Sequence, residues 1–168
     1  MKRFVYAIDS MNRYIGLTIR WLVVVMILST TWEVFVRYVF GKPTVWAHQL
    51  VMITGGLMVV LGWGYVHFLR GHVAIDLLYD RLSPRGRAIM DVVCACLFFF
   101  PMTIILIYIS HNWLQMSIVQ GEVWDVSFWR PLMWPSRLAV LVGVLLIMLQ
   151  GFAHLLRDVY FLRRGEKL

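Results

Sequence analysis

The chain has 168 residues, 61% of them hydrophobic and only 15% charged, whereas an ordinary soluble domain is about half apolar and about a quarter charged. With a mean hydropathy of +0.75, a domain of this size would expose more apolar surface than water tolerates, which excludes a soluble globular protein and leaves lipid as the solvent. The formal charge of +7 sits in short clusters between apolar runs, a pattern of membrane orientation and not of nucleic acid binding.

The N-terminus opens with Lys2 and Arg3, but Asp9, Asn12 and Arg13 follow where a cleaved signal peptide would have its apolar core. Phe4, Ile8, Met11 and Ile15 recur at helical spacing, which predicts a short amphipathic helix lying in the membrane interface on that face. The first apolar run long enough to cross a bilayer covers about residues 15–36, with Arg20 and Glu33 near its ends. It reads as an uncleaved span. An acid inside a span suggests a proton relay, yet Arg37 follows Glu33 at i+4, the spacing of a structural or interfacial pair.

A second span, about 47–68, contains no Asp, Glu, Lys or Arg, and Gly55 and Gly62 share one of its faces. Between it and the next span, Val73, Ile75, Leu77, Leu78 and Leu82 stand among charges and predict a second interfacial piece. Ser83-Pro84 reads as an N-cap followed by a first-turn proline. The third span, about 88–110, carries Asp91 one turn after Arg87, and Pro101, which removes a hydrogen-bond donor and bends the helix. Cys94 and Cys96 fall on different helix faces, so they do not pair and are expected to be small buried hydrophobes.

Trp124, Trp129 and Trp134 then mark a headgroup-level aromatic belt. The fourth span, about 135–156, aligns Ala139, Gly143 and Gly151 on a close-packing stripe, and its Gln150 is expected to hydrogen-bond another helix. Each span must be helical, because only a helix satisfies its own backbone in lipid. Twelve of the sixteen Lys and Arg residues fall at the two termini and in the middle loop, which places those segments in the cytoplasm. The fold class is therefore an all-α integral membrane protein, a single membrane domain over 1–168 with four transmembrane helices, both termini inside and short interfacial helices.

Histidines 48, 67, 111 and 154 lie near span ends at two depths. Two such pairs are what a redox anchor binding haem b would need. His48 and His67, however, stand about 28 Å apart along one helix at 1.5 Å per residue, which places them at the membrane edges. No metal-ligand cluster, phosphate loop or nucleophile triad stands out, so no cofactor and no enzymatic activity are expected.

Two stretches carry a resemblance. Residues 32–40 read Trp-Glu-Val-Phe-Val-Arg-Tyr-Val-Phe, followed by Pro43 and Trp46, and residues 70–85 contain His72-Val73 and Asp76 leading into Leu82-Ser83-Pro84. In these, and over nearly its whole length, the chain resembles the small membrane subunit (DctQ-like) of tripartite ATP-independent periplasmic (TRAP) transporters. The last third, with Trp134-Pro135 and Leu149-Gln150-Gly151, is similar to a branch labelled for mannitol or chloroaromatic compounds. The resemblance implies a four-span scaffold without turnover of its own, located in the bacterial inner membrane. It implies a large TRAP membrane subunit and a periplasmic substrate-binding protein as partners, besides membrane lipids, in a sodium-coupled symport of organic acids. It also implies that Glu33, Arg37, Trp46, His72, Asp76 and Asp91 serve structure or subunit contacts. Where the family often has acids after Trp46, this chain has Ala47-His48-Gln49.

Overall fold

The computed structural model describes residues 2–69, 82–125 and 129–166. The predicted second interfacial piece, with His72 and Asp76, lies outside them. The described residues form α1 (Lys2–Ile19), α2 (Leu22–Phe40), α3 (Val45–Phe68), α4 (Pro84–Cys94), a π-helical turn (Ala95–Phe99), α5 (Phe100–Gln120) and α6 (Trp134–Arg164). Four of the resulting long helical runs are apolar and long enough to cross a membrane.

Local chemistry sets the boundaries. The chain turns at Arg20-Trp21, where Trp21 N–H donates to the Thr18 carbonyl and Val23 N–H to that of Arg20. This separates α1 from α2, which carries most of the first apolar run. Gly41 and Gly121 end α2 and α5 at φ of 62° and 61°, a left-handed conformation that glycine adopts without steric cost. Ser83 caps α4, its Oγ accepting from Gly86 N–H at 3.2 Å, with Pro84 in the first turn. Just before Pro101 the Phe100 N–H reaches back to the Ala95 carbonyl. The wider π turn accommodates a proline that cannot donate and would crowd the preceding turn.

The spans pack as an open layer. α3 and α6 run parallel at its centre and share the most extensive contact; α2 packs antiparallel on the outer side of α3, and α5 on that of α6. No comparable contact joins α2 to α5, so the layer does not close into a four-helix bundle. Small residues let the central pair approach: a Cβ on Gly143 would stand 2.5 Å from the Val60 carbonyl oxygen. Gly151 belongs to a different contact, because the Phe99 ring of the π turn occupies the space a Cβ would need there. On α5 the buried positions are Thr103, Ser110 and Ser117, a seven-residue repeat that keeps one narrow seam against its neighbour.

One expectation is corrected. Cys94 and Cys96 are free and exposed, not buried; they lie on the outside of a layer that needs no interior at that position. The amphipathic helix expected at the N-terminus is α1: Val5, Ile8, Asp9, Asn12 and Gly16 are buried, and Phe4 and Met11 are exposed. α1 crosses the ends of α6 and α3: Val5 and Ile8 pack on Ala153 and Leu156, and Gly16 lies against the Tyr65 ring.

Candidate functional site

Where α1 crosses α6, four polar side chains form one chain of hydrogen bonds. Asn12 Nδ2 donates to Gln150 Oε1 at 2.7 Å, Gln150 Nε2 donates to Asp9 Oδ1 at 2.9 Å, and Arg157 Nη2 pairs with Asp9 Oδ2. Gln150 is 0% exposed and Asn12 1%, so these groups have no access to water and depend on one another. Gln150 and Arg157 both donate to the Asp9 carboxylate. It accepts from the Gln150 amide nitrogen, which turns the Gln150 oxygen toward Asn12 and leaves Asn12 Oδ1 against Gly64. A side chain at Gly64 would meet that oxygen. Gln150 thus bonds another helix, as its position in a span suggested.

Asp9 and Asn12 were not singled out by sequence reasoning. The available signal was the Asp9-Asn12-Gly16 spacing, a polar and small stripe at i, i+3, i+7 beside an apolar one. A second signal was the need of the intramembrane Gln150 for a polar partner.

At the opposite end of the layer, Glu33 is 8% exposed. Its Oε1 accepts from Arg37 Nη2 at 2.7 Å and Nε at 3.2 Å, and its Oε2 accepts from the Thr44 backbone N–H at 2.8 Å. Both oxygens are therefore used inside the chain, and the carboxylate ties the end of α2 to the start of α3. Truncating it strands a backbone donor and a cation, at a cost of about 1–3 kcal/mol. Glu33→Ala is expected to lower the thermal midpoint in detergent by several degrees and Arg37→Ala by less, since the Arg37 side chain is 59% exposed. An unchanged midpoint for Glu33→Ala would show that the α2–α3 connection does not depend on this carboxylate.

A third junction joins α5 to α6. Arg137 pairs with Glu122 at 2.5 Å, donates to the Trp113 carbonyl at 2.9 Å and lies over the Trp113 ring at 5.1 Å. The connecting segment folds back on itself, with Trp124 N–H bonded to the Pro131 carbonyl and Met133 N–H to that of Glu122.

The remaining predicted residues are dispersed. Trp46 is exposed in the first turn of α3, and Asp91 is half-buried in α4. His72 and Asp76 fall outside the described residues. Of the edge histidines, His48 and His111 are exposed, while His67 and His154 meet edge to face at 5.1 Å. His154 Nε2 lies 3.0 Å from the His67 carbonyl and the His67 ring stacks on Phe99 at 5.2 Å, so the two imidazoles contact each other and leave no slot for a macrocycle between them. Among the described residues no group of three His, Cys, Asp or Glu side chains is arranged to hold a metal ion.

The polar groups are thus turned inward, bonding helix to helix, while the broad faces of the layer are apolar. The family model described as "Tripartite ATP-independent periplasmic transporters, DctQ component" matches residues 26–160. The match runs from within α2 to near the end of α6 and leaves α1 outside it. No curated protein matches the chain.

Proposed function

Since this chain belongs to the DctQ component family of TRAP transporters, a multi-pass membrane subunit and not an enzyme, we propose that it is the static scaffold on which the large transport subunit of its complex is mounted. The observation that carries this reading is the open layer: α2 and α5 flank it without packing on each other. Val24, Leu28, Trp32, Phe35 and Val39 line an exposed stripe of α2, and Ile104, Ile105, Tyr108 and Ile109 lie exposed on α5. A subunit that carried substrate itself would need polar groups facing a pathway. Here Glu33 and Gln150, an acid and an amide buried within spans, have their polar atoms engaged inside the chain.

In this proposal the chain is a single membrane domain of the bacterial inner membrane with both termini in the cytoplasm, as the distribution of Lys and Arg supports. The larger subunit moves an organic acid with sodium, and a periplasmic binding protein delivers the acid to the side bearing the α5–α6 connection. Glu33, Arg37, Trp46, His72, Asp76 and Asp91 serve the structure of the scaffold or its subunit contacts.

Purification of the tagged chain from its native membranes in mild detergent tests the assignment. A much larger polytopic permease is expected to co-elute in stoichiometric amount. Recovery of the chain alone, or with a dehydrogenase, would overturn the scaffold role.

A further inference from the structure

We propose that α1 is a ledge for the headgroups of anionic phospholipids. The argument begins with the fate of its charges. Asp9 is the one acid in α1, and it is turned inward onto Gln150 and Arg157. Lys2, Arg3, Arg13 and Arg20 are all exposed, and among the described residues none of them has an acidic partner. The fold thus turns the one acid of α1 away from the exposed basic side chains of that segment.

Geometry then selects lipid over other polyanions. Lys2 and Arg13 are eleven residues apart, about three helical turns, and share one edge of α1; Arg20 continues that edge to a length of about 27 Å at 1.5 Å per residue. Phe4, Met11 and Ile15 occupy the other edge, roughly half a turn away. Phe4 meets Phe152 ring to ring at 6.5 Å, and Phe152 precedes Arg157 by more than a turn of α6. The apolar edge therefore points along α6 toward the spans, and the basic edge points away from them. Trp21 is exposed directly below, with the Arg20 guanidinium 5.7 Å from its ring, the pairing of aromatic and cation that suits a headgroup layer. A soluble nucleic acid or acidic protein would meet the basic edge alone, whereas a bilayer surface meets both edges at once.

The ledge is also built in advance. The Asp9-Asn12-Gln150 chain fixes α1 across α6, so binding need not first order the helix, and the cost of recruiting headgroups is reduced. A basic residue beside an anionic surface contributes on the order of a five-fold preference, and that preference is weakened by salt. This inference goes beyond the scaffold role and does not depend on the large subunit; if the permease failed to co-elute, the lipid measurement below would be unaffected.

The full chain in micelles is titrated with phosphatidylglycerol and, separately, phosphatidylcholine, with bound lipid counted by native mass spectrometry. Phosphatidylglycerol is expected to bind at least ten-fold more tightly, with the difference shrinking as sodium chloride rises. The triple variant Lys2→Gln, Arg13→Gln, Arg20→Gln is expected to lose most of that difference while eluting as a folded monodisperse species. Arg130→Gln, at the other end of the layer, is expected to keep it. Equal affinity for the two lipids, a triple variant that retains the preference, or an Arg130→Gln variant that loses it equally would overturn the proposal. So would displacement of the lipid by inorganic phosphate at matched ionic strength, which would make the site one for soluble anions.

Discussion

Gly143→Val is expected to prevent recovery of a folded monodisperse chain. Gly143 is buried on α6 at the centre of the layer, and a Cβ there would lie 2.5 Å from the Val60 carbonyl oxygen, 2.6 Å from Val60 Cγ1 and 3.0 Å from the Val60 carbonyl carbon. Two of those atoms are helix backbone, so relief cannot come from a rotamer change. α3 and α6 would have to separate, and they make the most extensive contact in the molecule. Overpacking a core commonly costs about 1–3 kcal/mol; spreading the central pair along its length exceeds that range. Gly143→Ala suffers the same Cβ clash and is expected to fold in reduced yield. Gly56 provides the control, because a Cβ there meets nothing within 4 Å; Gly56→Val should elute as wild type. Size-exclusion profiles and thermal midpoints in one detergent decide the matter. A Gly143→Val protein with the wild-type midpoint would mean that α3 and α6 do not pack this closely.

The second large effect falls on α1. Gln150→Leu removes the amide that both accepts from Asn12 and donates to Asp9, depriving Asn12 of its acceptor and leaving Asp9 with Arg157 alone. Each such loss costs about 1–3 kcal/mol by mutational measure, although interhelical hydrogen bonds in membranes average nearer 0.6 kcal/mol, about 1.7 at most. The sum is enough to release α1 from the layer without unfolding the spans. Hydrogen exchange should therefore accelerate across α1 by ten-fold or more while the α3 and α6 amides stay protected. Adding Asn12→Leu to Gln150→Leu should cost less than the two single changes together, because the two residues share one bond. Strict additivity, or unchanged protection of α1, would contradict the network as drawn.

The four long apolar helices and the Ser83-Pro84 cap were legible because each follows from one-dimensional facts: length, hydropathy and the chemistry of a helix start. So was the Glu33–Arg37 pair, which needs only i+4 spacing. Its third member was not. The Thr44 N–H reaches Glu33 through the turn at Gly41 to Pro43, and no local periodicity announces that approach. The exposure of Cys94 and Cys96 was misjudged for a related reason. In water, an apolar side marks the interior; in lipid, every side of a span is apolar, and sequence alone does not say which one meets protein. α1 inverts the usual rule outright. Phe4 and Met11, on its most hydrophobic edge, are exposed, and the polar stripe of Asp9, Asn12 and Gly16 is buried. Hydropathy found the helix and its amphipathic character, but not that the polar stripe is the one that meets protein. The order of the spans in space, α2–α3–α6–α5, was equally invisible, since it is set by where small residues permit approach.

A wall one helix thick behaves mechanically unlike a bundle. Helices joined side by side along a single row resist shear and stretching within the plane of the row, where every helix shares the load. They bend more readily across it, because only α1, lying over the central pair, braces them from a second layer. Seated upright in a bilayer, such a wall has a long, narrow footprint. Mounted on a larger subunit, as proposed above, it would oppose the tilt of that body along its length while yielding to bilayer curvature across its width.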